Sequence, residues 1–173
     1  LNMSIVNVVA TATLNQRVRL EELGKLDEVS YDANVYGGRV AYFRSPGIKG
    51  TVSIFTSGKM ISVGTKSEKE AINALEYVKE FLVKKKFVSP TQLKFQIRNV
   101  VVKVNFGKEI DLEELVKKCK MIYEPEQFPG GIIKVKEPFK ATVLLFASGK
   151  AVITGLKSSS QIDPILQKIV NLV

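Results

Sequence analysis

The chain has no histidine and one cysteine among its 173 residues. Histidine is the commonest general base near neutral pH, so its absence excludes Ser-His-Asp and Cys-His hydrolysis and the His-containing zinc sites. Cys119 alone makes neither an internal disulfide nor a cysteine-rich metal site, and reads as a small buried residue in a reducing compartment. No metal or cofactor is expected. No apolar run reaches the ~18 residues of a membrane span, and Leu1 to Ala10 has neither the basic flank nor the cleavage pattern of a targeting peptide. The expectation is a soluble intracellular protein with no membrane partner. Acidic residues are also scarce, 17 against 26 Lys plus Arg, for a net charge of +9. Those acids fall mainly at helix starts and on amphipathic surfaces without a paired constellation, which argues against an enzyme, while the positive balance favours a polyanionic partner.

What is present is a folded composition, 45% hydrophobic and 25% charged, in a length that suits one domain or two small fused units. A search for internal similarity decides for the second. Val6-Asn7-Val8-Val9 recurs as Arg98-Asn99-Val100-Val101, and Leu20-Glu21-Glu22-Leu23 as Leu112-Glu113-Glu114-Leu115, both displaced by 92. The same offset pairs Tyr31 with Tyr123, Tyr36 with Phe128, Gly38 with Gly130 and Pro46 with Pro138. It then falls to 91, pairing Phe55-Thr56-Ser57-Gly58-Lys59 with Phe146-Ala147-Ser148-Gly149-Lys150 and Lys66-Ser67 with Lys157-Ser158, so one residue is gained or lost between proline and phenylalanine. The chain is a tandem duplication, with repeats expected at 1–88 and 89–173.

Each repeat opens with a Val- and Thr-rich strand, Ile5 to Leu14 and Phe95 to Phe106. Helices are predicted over Arg19 to Leu26 and Asp111 to Cys119, the second capped by Asp111. Short strands follow at Val40 to Arg44, Thr51 to Thr56 and Lys59 to Gly64, and at Ile132 to Lys136, Ala141 to Ala147 and Lys150 to Gly155, with the Ser-Gly pairs as hairpin turns. Closing helices are predicted from Ser67 to Lys86, opening on a capping box, and from Ser158 to Leu172, the latter starting nearer Asp163 because of Pro164. Ala71, Ala74, Leu75, Val78 and Leu82 make one apolar helix face. Phe87 to Gln92 is the only linker. Two such α+β units side by side would extend one antiparallel sheet, with four helices on one face and the other face open.

Asn-Val-Val-Ala-Thr at 7–11, Tyr-Glu-Pro-Glu-Gln-Phe-Pro-Gly at 123–130 and Phe-x-Ser-Gly-Lys-x-x-x-x-Gly at 55–64 and 146–155 together make the chain resemble the TATA-box-binding protein family, over nearly its whole length and most like a diverged archaeal member. The resemblance implies a pseudo-twofold saddle of two tandem repeats, a curved antiparallel sheet with helices on the convex face. It implies a general transcription initiation factor that binds the minor groove of A·T-rich promoter DNA, bends it and recruits transcription factor B and the RNA polymerase pre-initiation complex. The family bends its duplex by about 80°, a property that comes with the resemblance. The implied location is cytoplasmic and nucleoid-associated for an archaeal protein, nuclear for a eukaryotic one.

Carried over position by position, the DNA wedges are Tyr36, Phe55, Phe128 and Phe146, flat side chains able to enter a base step; Tyr36 departs from the pattern because its hydroxyl needs a polar partner on insertion. Asn7 and Asn99 would donate to the minor-groove acceptors shared by A·T and T·A pairs. Period-two alternation places Val9 and Thr11 with Asn7, and Val101 and Lys103 with Asn99. The hairpins add Ser53, Ile61 and Val63 in the first repeat and Leu144, Val152 and Thr154 in the second. Ser53 and Val63 depart from the family's Leu and Thr, so the first repeat suits the usual surface less well. Phosphate contacts are expected from Arg44, Lys59, Lys66, Lys134, Lys150 and Lys157. Glu124, Glu126 and Gln127 would face transcription factor B, on one repeat only, because the first-repeat counterpart has lost that acidic character. These departures also motivate an alternative, a paralogue acting mainly through protein contacts or at a promoter subset, with weak or partner-dependent bending.

Overall fold

A computed structural model describes all residues from Leu1 to Val173. Ten strands and four helices follow one another as β1 (Asn2–Thr13), α1 (Leu20–Leu23), β2 (Val29–Tyr31), β3 (Val40–Phe43), β4 (Thr51–Phe55), β5 (Lys59–Thr65), α2 (Glu68–Lys84), β6 (Gln96–Asn105), α3 (Leu112–Leu115), β7 (Ile122–Tyr123), β8 (Gly131–Val135), β9 (Ala141–Leu145), β10 (Lys150–Leu156) and α4 (Ile162–Val170). Contacts divide the chain into two compact units, Asn7–Arg98 and Leu1–Val6 with Asn99–Val173. The first unit has strand order β2-β3-β4-β5-β1 and the second β6-β10-β9-β8-β7, with the pairs antiparallel.

Alternation builds both sheets. Val52 and Ile54 on β4 and Met60 and Ser62 on β5 are fully buried, whereas Ser53, Phe55 and Ile61 between them are only half-buried. In the second unit Val143, Leu145, Ala151 and Ile153 take the buried parity and Leu144, Val152 and Thr154 the other. Helix α2 covers its sheet with Ala71, Ala74, Leu75, Val78 and Leu82, and each large one contributes roughly 1.5–3 kcal/mol on burial. Its capping box is formed as expected: Ser67 Oγ accepts from Glu70 N–H at 3.0 Å, and Glu70 Oε2 accepts from Lys66 N–H at 2.9 Å. The helix ends with Lys86 at φ 65°, the Phe87 N–H reaching Leu82 O and the Lys86 N–H reaching Val83 O. Gln16 then clamps the linker, accepting from Ser89 N–H at 2.8 Å and donating to Ser89 O at 3.0 Å. Lys79 on α2 is buried; the hydrogen bond it donates to Glu76, helped by Glu80, outweighs burial and holds its ammonium above the ordinary range.

Two features differ from the expectations. Helices α1 and α3 are single turns, shorter than Arg19 to Leu26 and Asp111 to Cys119, because each has only two buried residues to hold it. After them the bonds tighten to i→i+3, as in Leu26 N–H to Leu23 O and Lys118 N–H to Leu115 O. Asp111 does cap α3, accepting from Glu114 N–H at 3.1 Å. Helix α4 starts, as expected, beside Asp163, at Ile162 after a 3₁₀ turn over Ser159–Gln161, so Pro164 falls in its first turn. Strands β2 and β7 are additional, and they expose a second change of offset. Tyr31 pairs with Ala41, ten positions on, but Tyr123 pairs with Gly131, only eight on. The first repeat carries two extra residues in that loop, and the next hairpin returns one of them: Arg44 stands seven positions before Thr51, Lys134 eight before Thr142.

Cys119 is half-buried, its Sγ donating to Leu115 O at 3.5 Å, and burial pushes the thiol pKa up. Ser62 is fully buried and its Oγ has no partner, while its counterpart in the second repeat is Ile153. An unpaired buried hydroxyl costs free energy, so Ser62→Ala is expected to stabilise the protein by about 1 kcal/mol. A urea titration would show a higher midpoint at constant slope; an unchanged or lower midpoint contradicts this.

Candidate nucleic-acid interface

The open side of each sheet is assembled by register. In the first unit Tyr42, Ser53, Ile61 and Thr11 lie opposite one another across β3, β4, β5 and β1. In the second, Ile132, Leu144, Val152 and Lys103 form the corresponding row across β8, β9, β10 and β6. A second row joins Thr51 to Val63, matched by Thr142 and Thr154. Sequence reasoning missed Tyr42, Ile132, Thr51 and Thr142, which only strand pairing places beside the expected residues. Thr11 is the exception to open exposure: it is 7% exposed, and its hydroxyl accepts from Arg98 Nε–H at 2.9 Å. Arg98 was also missed, since its counterpart in the repeat is Val6.

Asn7 and Asn99 have the same environment. Gly64 N–H donates to Asn7 Oδ1 at 2.8 Å and Gly155 N–H donates to Asn99 Oδ1 at 2.7 Å. Both glycines sit at register shifts, between Val8 and Ala10 opposite β5 and between Ile153 and Leu156 opposite β6, with φ of 85° and 91°. The bulge removes the glycine N–H from the ladder and the asparagine carbonyl replaces the lost acceptor. The carboxamide is thereby oriented, with its NH₂ group as the remaining donor. Val9 and Val101, half-buried, flank the two asparagines on the same parity.

The aromatic residues are arranged differently in the two units. Phe128 and Phe146 meet edge to face with centroids 5.7 Å apart. Gly130 permits this: a Cβ there would lie 2.9 Å from a Phe128 ring carbon, 3.0 Å from a Phe146 ring carbon and 3.1 Å from Leu145 O. Tyr36 is 71% exposed with φ 48° in the two-residue surplus, and no ring contact joins it to Phe55. The neighbouring loop is closed instead by Tyr31 Oη–H donating to Gly38 O at 2.9 Å, and by Asp32 Oδ1 accepting from Asn34 N–H at 2.9 Å. Glu124, Glu126 and Gln127 are exposed, around a turn in which the Gln127 and Phe128 N–H groups both reach Glu124 O.

Charge is sorted between the elements. None of the ten strands contains Asp or Glu, whereas Lys59, Arg98, Lys103, Lys134 and Lys150 lie in them. The four short ion pairs involve only α1, α2 and α3 and the residues beside them. Arg44 and Lys134 repeat one another, Arg44 Nε–H donating to Thr51 Oγ1 at 3.1 Å and Lys134 Nζ–H to Thr142 Oγ1 at 3.3 Å. Lys59, Lys66, Lys150 and Lys157 are exposed at equivalent places, before β5 or β10 turns inward and at the start of the closing helix. Acid-free strands with apolar rows, oriented amides and flanking cations suit a polyanion that also offers flat or apolar surface.

Comparison with known proteins agrees. The sequence model of transcription factor TFIID, or TATA-binding protein, matches residues 2–85 and 94–173. The TATA-box-binding protein of Cenarchaeum symbiosum is 36% identical over 91% of this chain and 86% of its own length; that of Methanopyrus kandleri is 34% identical over 96% and 93%. The structure of Methanococcus jannaschii TBP matches with TM-score 0.86 at 32% identity, covering 99% of this chain and 98% of that one. The chain belongs to the TATA-binding protein family, a family of DNA-binding transcription factors and not of enzymes.

Gly130→Ala should force the paired rings apart at a cost of about 1–3 kcal/mol, the usual range for overpacking. The ring-proton signals of Phe128 and Phe146 should shift together with the thermal midpoint. Unchanged ring signals would contradict the packing argument.

Proposed function

We propose that this chain is a general transcription initiation factor that binds the minor groove of A·T-rich promoter DNA at a TATA box, bends it, and recruits transcription factor B and through it the RNA polymerase pre-initiation complex. The observation that carries this reading is the pair of oriented carboxamides on acid-free open faces. With Oδ1 of Asn7 and Asn99 committed to a glycine N–H, each side chain presents a donor, which suits the N3 and O2 acceptors common to A·T and T·A pairs. The half-buried Val9, Val101, Ile61, Val152 and Leu144 beside them offer no acceptor to a guanine amino group, which disfavours G·C pairs. Ser53, Val63, Thr154 and Lys103 complete the two floors, while Thr11 is withheld by its burial and its bond to Arg98, and Lys103 is offered to a phosphate or a base acceptor.

Phe128 and Phe146 support the wedge role best, because their contact holds both rings in place before DNA arrives. Tyr36 and Phe55 take the corresponding role in the first repeat without such a contact, so that end is the less preorganised. Arg44, Lys59, Lys66, Lys134, Lys150 and Lys157 position the duplex through its phosphates. Glu124, Glu126 and Gln127 form the arm toward transcription factor B. Asp32 in the first repeat is occupied in its own turn, which supports one-sided recruitment. The archaeal relatives favour action at a nucleoid. The paralogue reading is not favoured, because the family match runs through both repeats.

Energy transfer across a doubly end-labelled A·T-rich duplex tests the reading over a salt series. Binding should weaken steeply with salt, each phosphate-contacting lysine adding about −0.9 to the logarithmic slope. Phe128→Ala combined with Phe146→Ala should reduce the bend. A bend as large as the parent's would refute the wedge assignment, and no A·T preference would refute the function.

Glu124→Arg should weaken recruitment of transcription factor B by about tenfold while sparing binary DNA binding, since a like charge now faces the partner's basic groups. Equal recruitment by mutant and parent rejects the arm.

A further inference from the structure

In the first unit a pocket between the closing helix and the outer strands is filled by the chain's own rings: Phe43 meets Phe81 at 4.9 Å and Tyr77 at 6.1 Å. In the second unit none of these rings is present. Register makes Ile133 the counterpart of Phe43, since Phe43 pairs with Val52 and Ile133 with Val143. The offset of 91 that relates Lys66-Ser67 to Lys157-Ser158 makes Lys168 and Leu172 the counterparts of Tyr77 and Phe81. The result is an open groove of about 630 Å³ between α4 and the β7–β8 edge, floored by Met121, Ile133, Ile169 and Leu172.

Two further differences point to an occupant. The strand edge beside the groove is less paired: Arg44 N–H donates to Glu28 O at 2.9 Å in the first unit, but no bond joins the equivalent Lys134 and Lys120, and β7 has two residues where β2 has three. The charge differs as well. The second-unit groove is rimmed by exposed Lys120, Lys136 and Lys168, and Lys120 stands at the place of Glu28 and Lys168 at that of Tyr77. Glu137 is the sole acid along it, and its backbone carbonyl accepts from Lys168 Nζ at 2.7 Å.

We infer that this groove docks an acidic segment of another protein, which inserts one or two large apolar side chains where the first repeat has its own rings and sets its carboxylates against Lys120, Lys136 and Lys168. An apolar anchor in a desolvated pocket with a charged rim is the usual composition of a small recognition site. Its partner is opposite in charge to whatever faces Glu124 and Glu126, so the second repeat carries two distinct protein-binding surfaces.

The probe is a fluorescein-labelled peptide of Asp and Glu around a central Phe and Leu, measured by anisotropy against the whole chain. Controls are the same peptide with Ser for Phe and Leu, and one with Lys for the acids. The parent peptide should bind at least tenfold more tightly than either control, and excess A·T-rich duplex should not displace it. Lys168→Tyr with Leu172→Phe, which restores the first repeat's rings, should weaken binding at least tenfold. Lys120→Glu with Lys136→Glu should do likewise without filling the groove, and thermal melts confirm that each variant folds. Equal binding of the Ser peptide, displacement by duplex, or indifference to both variants would overturn the proposal. So would sedimentation showing a dimer that the groove-filling variant abolishes, since a second copy would then be the occupant.

Discussion

The hydrogen bond from a bulged glycine N–H to an asparagine carbonyl, made once in each repeat, is the constraint on which the open surface depends. Up to Gly64, β5 buries even-numbered residues and opens odd ones; after it, Thr65 is buried. Strand β10 changes in the same way, with Ala151 and Ile153 buried before Gly155 and Leu156 after it. The extra residue returns the chain to the core just before Lys66 and Lys157, so the strand's last residue packs inward while the lysine stays in solvent. Without Asn7 and Asn99 the freed glycine N–H groups would have no acceptor within the protein. The bond therefore does two things together: it makes the bulge affordable and it fixes the direction of the amide that remains to donate.

Charge follows from the same architecture. A strand residue on the buried parity cannot carry a carboxylate without a large desolvation cost, which accounts for half of each strand. It does not account for the other half, where serine, threonine and lysine are all tolerated and no acid occurs. The acidic residues are instead in loops and helices, several paired with lysines on the same helix or beside it. The net positive charge is thus concentrated by subtraction, and a surface of this kind attracts a polyanion over a distance that salt shortens.

How much of this was legible in the sequence depended on length and on register. The duplication, helix α2 with its Ser67 and Glu70 cap, the Asp111 cap and the paired Ser-Gly hairpins were legible because each rests on local chemistry spread over many residues. Gly58 and Gly149 show why the hairpins repeat: at φ of 94° and 88°, a Cβ would lie 2.1 Å from Gln16 O and 1.9 Å from Lys108 O. Strands β2 and β7 were not legible, because two or three residues are too few to show an alternation. Their pairing was needed to find the two-residue surplus around Tyr36, which a constant offset of 92 had concealed. The contact of Phe128 with Phe146 was hidden for a different reason: it depends on the missing Cβ of Gly130, a residue whose conformation alone gives no sign of it.

The differences between the repeats share a direction. The first repeat fills its own space: Tyr77 and Phe81 close over Phe43, Tyr31 ties its loop to Gly38, and Asp32 caps its own turn. The second leaves comparable groups available: Ile133 and Leu172 border an open groove, and Glu124 and Glu126 stand exposed. A duplicated chain in contact with a nearly symmetric duplex gains no orientation from the surface it repeats. Orientation must come from positions at which the copies have diverged, and in this chain they have diverged by satisfying interactions internally on one side and leaving the groups open on the other. The contrast also separates what the repeats share, the Asn–Gly pair and the exposed lysines, from what they do not, the loops and helix faces: on the function proposed above, the former would meet a ligand that repeats and the latter partners that do not.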